Sequence, residues 1–281
     1  MRLNDIRMED LLRNKAAFFG LIIISLLIMT ALAADIIAPH DPHKIKLEDR
    51  LQPPSPEHIF GTDQLGRDQF SRMVYGTRTT FELSIVIVTI TALFGVITGI
   101  VAGYYGGIVD EIMMRIIDLL LAFPTIIVAL VIIGALGPGI LNTVIAISLV
   151  GWLYYARVAR ASTLSIKEKE YIEGARAMGC SDFYICTKYI FPNCLPPIIV
   201  LITLNMGGVI LTIAALGYLG LGAQPPTPEW GTMLNEGREF LRDCPWLSVF
   251  PGFMIMISVL AFNFIGDGLR DILDPRQQVI K

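Results

Sequence analysis

Six long apolar stretches constrain the fold of this chain most strongly. They lie at residues 16–37, 83–104, 116–136, 140–155, 195–216 and 246–265. A bilayer core of about 30 Å needs about 20 apolar residues in a helix. The 281-residue chain is 54% hydrophobic and only 17% charged, which is unusual for a soluble domain. The sequence therefore predicts an all-α polytopic membrane protein with six transmembrane helices.

The apolar segments divide the chain into successive parts. We predict a cytoplasmic N-terminus at 1–15, a first transmembrane helix at 16–37, an extracytoplasmic loop with an amphipathic helix at 38–82, a five-helix core at 83–268 that includes a loop at 157–194, and a cytoplasmic tail at 269–281. The first segment also fits a signal peptide, because basic residues precede it and it ends in Ala31-Leu32-Ala33. Its apolar run exceeds the roughly 7–15 residues of a usual signal core, which favours an uncleaved anchor.

Lys and Arg residues predict the orientation, because cytoplasmic loops of membrane proteins are enriched in them. With six spans and the N-terminus inside, fourteen of the 22 basic residues lie on the cytoplasmic side and eight lie outside. This bias places both termini and the loop at 157–194 in the cytoplasm.

Several function classes are disfavoured by the composition. The net charge of -3 argues against a nucleic-acid partner. The four cysteines form no C-x-x-C, which argues against a zinc site or a redox pair. No G-x-x-x-x-G-K-[ST] occurs, and the glycine-rich stretch at 217–222 has no Lys. If the protein is powered by ATP, the motor must be a separate subunit.

The polar stretch at 170–192 has helical spacing between two apolar segments. Ser165 and Glu168 match a capping box, which predicts a helix start. Gly179 predicts the end of that helix. Ser181 is predicted to cap a second short helix that ends before Pro192.

The first of these helices has an apolar stripe. Tyr171, Ala175 and Met178 share one face, and Glu173 and Arg176 flank it. Such a stripe fits a groove on a soluble partner. The alternative is an amphipathic helix that rests on the lipid surface.

The second apolar segment contains glycines at strict four-residue intervals, namely Gly95, Gly99, Gly103 and Gly107. Repeated small residues at this spacing make a flat strip for another helix. Gly107 is expected to lie beyond the membrane. The spacing does not identify the partner helix.

The third apolar segment begins with two charged residues one turn apart. Arg115 is predicted to neutralise Asp118, because an isolated carboxylate is costly in a membrane helix. We interpret this as a structural pair and not as a translocation site. Pro124 predicts a kink that faces protein or a cavity.

The first outer loop carries a second amphipathic pattern. Thr62 or Asp63 is predicted to cap a short helix, in which Asp63 and Arg67 pair at i, i+4. His40 and His43 resemble half of a nickel or zinc site. Pro42 stiffens the pair and no Cys is near, so an exposed loop without metal is the favoured interpretation.

The stretch at 170–192 resembles the signature loop of ABC-importer permeases. In that loop Glu-Ala-Ala is followed by a Gly four residues after the second Ala and later by an apolar-Pro pair. Four positions fall in register with it: Glu173, Ala175, Gly179 and Pro192. Gly174 replaces the first Ala, and Phe191 replaces the usual Leu.

Three further stretches resemble the C-type subunit of the peptide and nickel branch of that family. They are GTDQLGRD at 61–68, LGLG followed by QPPTPEWG within 219–231, and NFIGDGLRDILDPR at 263–276. Gly217 and Tyr218 depart from the more usual Ser-Phe before LGLG. Together with the loop at 170–192, the resemblance covers roughly residues 38–276.

This resemblance implies a type I ABC-importer permease fold with a cytoplasmic coupling helix between helices 4 and 5. The coupling residues would be Tyr171, Glu173, Gly174, Ala175, Met178 and Gly179. The complex would lie in the cell (inner) membrane and combine two permease subunits, two ATP-binding subunits and an extracytoplasmic solute-binding protein. This chain would catalyse no reaction and bind no cofactor directly, and ATP would bind to the partner subunits. Di- and oligopeptides are the expected solutes, with nickel, glutathione or oligosaccharides as alternatives.

Within such an importer, Asn142, Asn205 and Asn263 are candidates to line the path, although buried Asn also joins helices. Two other classes stay open. A secondary transporter would need acids placed for ion coupling, and the only suitable one, Asp118, has a predicted partner. A membrane scaffold would transport nothing. Co-purification of an ATPase separates these interpretations.

Overall fold

The computed structural model describes residues 14–273, which form helices joined by turns and loops. The helices are α1 (Lys15–Leu32), α2 (Ala34–Ile37), α3 (Gln69–Tyr105), α4 (Gly107–Leu121), α5 (Thr125–Leu136), α6 (Ile140–Lys167), α7 (Glu170–Ala177), α8 (Asp182–Ile185), α9 (Phe191–Tyr218), α10 (Trp230–Gly237) and α11 (Trp246–Leu273). Most of the predicted cytoplasmic N-terminus and the end of the predicted tail lie outside the described residues.

The described residues contain five candidate membrane-spanning helices, or six if one bent pair of helices is a single span. Five helices within 14–273 are long and apolar enough to cross a membrane: α1, α3, α6, α9 with the turns before it, and α11. The pair α4 and α5, bent by 86°, is either a broken span, which would be the sixth, or a re-entrant loop. The all-α prediction is confirmed, with the third span broken.

The loop before α3, which we call the outer loop after its predicted location, runs into the second span without a separate amphipathic helix. Asp68 caps α3, since its side chain accepts a hydrogen bond from the backbone N–H of Ser71. The predicted cap at Thr62 or Asp63 is wrong. Asp63 instead accepts hydrogen bonds from the N–H groups of Leu65 and Arg67 and closes a turn. The predicted short helix therefore becomes the first turns of a single 37-residue helix.

The third span breaks at the predicted proline. Pro124 has no N–H to donate to the preceding turn, so α4 ends at Leu121 and α5 begins at Thr125. A continuous helix at 116–136 was predicted with a kink, and the 86° bend is far larger. At its other end, α4 is separated from α3 by Gly106 alone, and Gly106 and Gly107 have φ angles of 67° and 56° that favour glycine.

The glycine strip of α3 packs against α6. A Cβ added to Gly95 would lie 2.6 Å from Tyr155 Cβ, and one added to Gly99 would lie 2.7 Å from Ala159 Cβ. Such distances leave no room for a side chain, so the two backbones touch directly. The predicted packing strip is confirmed, and its partner belongs to this chain. Gly107, the last glycine of the repeat, does not take part in this packing, because nothing lies within 4 Å of a Cβ added to it.

An aromatic core holds α10 against the transmembrane bundle. Trp230 is fully buried, and its indole N–H donates to the carbonyl oxygen of Met73 in α3. Phe81 packs edge-on against Trp230 and also contacts Phe262 of α11. The short helix α10 is thereby fixed to α3 and α11.

Candidate functional site

The segment at 170–192 folds as a helix, a turn and a second helix. The helix α7 ends where predicted, because Gly179 adopts a φ of 80° that side chains disfavour. Ser181 caps α8 by accepting a hydrogen bond from the N–H of Tyr184, which confirms the second prediction.

Two details of that prediction are wrong. Ser165 and Glu168 do not begin a helix, because α6 continues to Lys167 and Glu168 is its C-terminal cap. The second helix also does not stop before Pro192. It continues through one π-helical turn, Cys186–Ile190, into α9. Proline is tolerated there because it occupies the first turn of α9.

The predicted apolar stripe of α7 is divided between two faces. Ala175 is buried together with Ile172, against Ile185 and Cys194 of the same chain. Tyr171 and Met178 are 48% and 76% exposed. Ala175 therefore packs α7 against the rest of the chain, whereas the side chains of Tyr171 and Met178 are exposed on the surface.

Exposed side chains of α7 and α8 form one continuous segment of surface, which we call the 170–184 surface. It contains Tyr171, Glu173, Gly174, Met178, Gly179, Phe183 and Tyr184. Phe183 is 78% exposed, although it is a large apolar residue. Sequence reasoning missed Phe183 and Tyr184. The signal was present, because a cap at Ser181 places both side chains in the first turn of α8.

Polar contacts fix this surface to the end of α3. The hydroxyl of Tyr104 donates to Asp182 Oδ1 at 2.7 Å, and the guanidinium of Arg176 stacks over the Tyr104 ring. Lys167 Nζ donates to the carbonyl oxygen of Gly103 at 2.9 Å. The α7–α8 unit is thus attached to the end of α3, and the end of α3 is in turn bonded to the end of α6.

The predicted pair of Arg115 with Asp118 is not formed. Arg115 Nη2 lies 2.7 Å from Glu111 Oε1, one turn earlier on the exposed face of α4. Asp118 instead pairs with Arg157 of α6. The local spacing misled the prediction, because the partner of Asp118 comes from a helix that packs against α4.

A cavity of about 180 Å³ lies among α3, α5, α6 and α9. Its lining combines apolar side chains with the polar side chains of Thr91, Tyr154, Tyr155, Asn205 and Thr212. Polar groups inside an otherwise apolar bundle are costly and mark sites of function. Of the three candidate asparagines, Asn205 lies in this lining.

The other two asparagines lie elsewhere. Asn142 donates to the carbonyl oxygens of Leu136 and Gly137, both at 3.0 Å, and so closes the turn between α5 and α6. Asn263 is half-buried on α11 and does not line the cavity. Asn205 is therefore the one of the three that lines this cavity.

At the opposite end from the 170–184 surface, buried charges connect the outer loop to α10. Arg67 Nε lies 2.6 Å from Asp63 Oδ2, which confirms the predicted i, i+4 pair. Arg67 and Arg72 both donate to Glu236, at 3.1 and 2.7 Å. Two cations and two carboxylates balance one another inside the protein.

Comparison with known families decides the identity of the fold. Residues 95–279 match the model of the binding-protein-dependent transport system inner membrane component, and residues 6–54 match the N-terminal transmembrane domain of oligopeptide transport permease C. The chain belongs to the family of binding-protein-dependent transport permeases. It is therefore a multi-pass membrane permease of the ABC-importer class.

Curated relatives of this permease align over nearly its whole length. It is 46% identical to the dipeptide transport system permease protein DppC of Alkalihalophilus pseudofirmus, over 96% of this chain and 89% of that protein. It is 40% identical to the DppC of Haemophilus influenzae, over 94% and 92%. A glutathione transport system permease protein, GsiD of Pectobacterium atrosepticum, is 42% identical over 94% and 88%.

Solved structures confirm the fold of the permease. A chain of the MetNI methionine ABC transporter, in an inward-facing conformation, superimposes with a TM-score of 0.57 at 19% identity. The match covers 72% of this chain and 97% of that one. The fold is that of a type I ABC-importer permease.

Proposed function

We propose that this permease moves di- and oligopeptides inward across the cell membrane, as one subunit of an ATP-driven, binding-protein-dependent importer. Relatives named as dipeptide transport permeases, at 46% and 40% identity over most of both chains, support this solute class. Glutathione, itself a small peptide, belongs to the same chemical class. Nickel and oligosaccharides remain alternative solutes.

The observation that carries this proposal is the exposed 170–184 surface. Met178 and Phe183 are each more than three-quarters exposed, at 76% and 78%, beside the charged Glu173. A surface with apolar anchors and a charged rim fits a protein partner. We assign it to one of two ATP-binding subunits, which bind the ATP and hydrolyse it. A second permease subunit and an extracytoplasmic solute-binding protein complete the complex.

The mechanism we propose is alternating access. Closure of the ATP-bound subunits would move the 170–184 surfaces of the two permeases, and the path between them would open to the outside. The cavity beside Asn205 would contribute polar groups to that path. This chain would form no covalent bond with its solute. The scheme requires both termini and the 170–184 surface to be cytoplasmic.

The other class weighed from the sequence, a secondary transporter, does not fit the family to which the chain belongs. Asp118, the acid that the sequence offered for ion coupling, is paired with Arg157. That pairing leaves this interpretation with weaker support than the importer.

Reconstitution tests the proposal directly. The chain would be co-expressed with its second permease and ATP-binding subunits, purified through a tag on this chain alone, and placed in vesicles with the binding protein. We expect the ATP-binding subunits to co-purify and a labelled dipeptide to accumulate only with ATP. Uptake without an ATP-binding subunit would contradict the importer. ATP-driven uptake of nickel but not of dipeptide would overturn the solute class alone.

A further inference from the structure

Two ion pairs join α4 to α6. Arg160 donates to both carboxylate oxygens of Asp110, and its Nη2 lies 2.6 Å from Oδ2. Further along α4, Asp118 pairs with Arg157. Arg157 and Arg160 are three residues apart in α6, so their side chains leave the helix on one face. A bidentate contact between arginine and a carboxylate fixes the relative orientation of the two groups as well as balancing their charge.

Apolar packing between these two helices is limited. Of the residues in α4, Ile117 alone is buried, in a small cluster with Leu153 and Ala156 of α6. Large apolar side chains elsewhere on α4 are exposed, such as those of Ile108 and Leu119. A single small cluster would leave α4 free to turn on α6. The ion pairs on either side of Ile117 in the sequence therefore set the orientation of α4.

The two pairs are too exposed to contribute much to stability. An open cleft of about 390 Å³, lined by Met114 and by Asp118, Arg157 and Arg160, lies between the helices. The side chains of Asp118 and Arg157 are exposed, and those of Asp110 and Arg160 are partly exposed. Exposed ion pairs contribute little to the free energy of folding. What distinguishes these pairs is the position of the two helices that they join.

Each of the two helices leads to a part of the molecule described above. The helix α6 ends at Lys167, two residues before α7 and the 170–184 surface. The helix α4 ends at Leu121, and the bend at Pro124 leads directly into α5. The start of α5 contributes three residues to the lining of the cavity beside Asn205, namely Thr125, Ile126 and Ala129. The ion pairs therefore lie on a route from the 170–184 surface to the cavity wall.

We propose that Asp110, Asp118, Arg157 and Arg160 are positioning residues for transport, because their ion pairs make α4 and the bend at Pro124 move together with α6. This inference rests on the proposed function, in which the ATP-binding subunits move the 170–184 surface. The far part of α5 packs in an apolar cluster with α6, so it is α4 and the bend that depend on the ion pairs. Without them α6 would still move, but the cavity wall at the bend would not follow.

The number of peptides moved per ATP hydrolysed tests the proposal. It would be measured in vesicles for the wild-type complex and for Asp110→Ala, Asp118→Ala and the control Glu111→Ala. Glu111 forms an exposed ion pair with Arg115 of the same helix, so its removal costs a pair but no link to α6. We expect a fall of about two- to fivefold in the first two variants only, with stimulated ATP hydrolysis kept. Equal ratios in all four complexes would overturn the proposal.

An exchange of charges separates an ion pair from a merely structural effect of the substitutions. Asp118→Arg places a second cation beside Arg157, and we expect the number of peptides moved per ATP to fall further than in Asp118→Ala. The double variant Asp118→Arg with Arg157→Asp restores a pair of opposite charges between α4 and α6. We expect it to recover most of the wild-type ratio. Losses that simply add in the double variant would overturn the role of the ion pair.

A distance measurement keeps the charged residues intact and so covers variants that fail to assemble. Spin labels would be attached to Ile112→Cys on α4 and Ser165→Cys on α6, both exposed positions, in a background with Cys180 and Cys186 replaced by Ala. We expect the distance between the labels to stay the same when a non-hydrolysable ATP analogue binds the complex. A change of several ångströms would overturn the proposal. Failure of the wild-type complex to take up a dipeptide with ATP would instead overturn the proposed function.

Discussion

Arg72 Nη2 lies 2.7 Å from Glu236 Oε2, although the two residues are 164 positions apart in the chain. The Arg72 side chain is fully buried, and the Glu236 side chain is 14% exposed. The pair joins the first turn of α3 to α10, and Asp63 and Arg67 complete the cluster. These ion pairs, together with the packing of Trp230, hold the outer loop and the start of α3 against α10.

Removal of Arg72 should be severe. Arg72→Ala leaves Glu236 buried without one of its two cations, and we expect a loss of about 3–5 kcal/mol in the free energy of unfolding. The double variant Arg72→Met with Glu236→Leu should lose less than the sum of its single variants. Thermal melting in detergent measures both. Arg50→Ala, on the exposed surface, is the control, and a similar loss there would contradict the assignment.

Gly99→Ala should disrupt the contact of α3 with α6. The added methyl group would lie 2.7 Å from Ala159 Cβ, and we expect a destabilisation of about 1–3 kcal/mol from overpacking. Gly134→Ala is the matched control, because this helical glycine has nothing within 4 Å of an added Cβ. Melting temperatures that fall equally in the two variants would show that close packing is not the cause.

Glu173→Lys and Gly179→Asp should each abolish solute-stimulated ATP hydrolysis while the protein still inserts. The first reverses a charge on the 170–184 surface, and the second forces a side chain into a φ of 80° that costs about 1–2 kcal/mol. Gly174→Ala should preserve stimulation, because its Cβ would meet open space. The measurement is ATPase activity of the reconstituted complex. Normal stimulation in either of the first two variants would exclude the docking role.

Asn205→Ala should slow peptide uptake about two- to tenfold, as expected for the loss of about 0.5–1.5 kcal/mol of hydrogen bonding along the path. Assembly should be normal, because Asn205 borders a cavity. Asn142→Ala should instead lower the melting temperature and leave the uptake rate per assembled complex unchanged, since Asn142 closes a turn. Initial rates in vesicles distinguish the two. The reverse pattern, with uptake lowered in Asn142→Ala and stability lowered in Asn205→Ala, would show that Asn205 does not line the path.

Thiol labelling tests the topology. Cys244, the native cysteine predicted to lie outside, is buried and cannot report its side. Exposed positions serve instead, with Glu239→Cys for the outside and Met178→Cys for the inside, in a background with Cys180 and Cys186 replaced by Ala. In intact cells, an impermeant reagent should label only Glu239→Cys. Labelling of Met178→Cys from outside would reverse the orientation.

The features that the sequence predicted correctly depend on residues that are close together in the chain. Apolar length located the six spans, the positive φ at Gly179 ended α7, and Pro124 located the break in the third span. Contacts between distant segments were not predictable in this way. Asp118 was assigned to Arg115 at i−3, whereas its partner Arg157 comes from α6.

The outer loop shows the same limit. The sequence paired His40 with His43, three residues later, whereas folding brings His40 beside His58. The loop has no regular period from which this proximity could be calculated. The two rings meet at the start of α3, where Asp68 bonds His58 and Ser71 accepts a hydrogen bond from the N–H of His40.

The direct backbone contact between α3 and α6 has a mechanical consequence. At the glycine positions the backbone of α3 meets α6 directly, so few side chains there could re-pack and absorb motion. The helix α6 has 28 residues and so is about 42 Å long, and it leads into the 170–184 surface. We expect α3 and α6 to tilt together as a rigid body. A displacement at one end of the pair would then be transmitted to its other end.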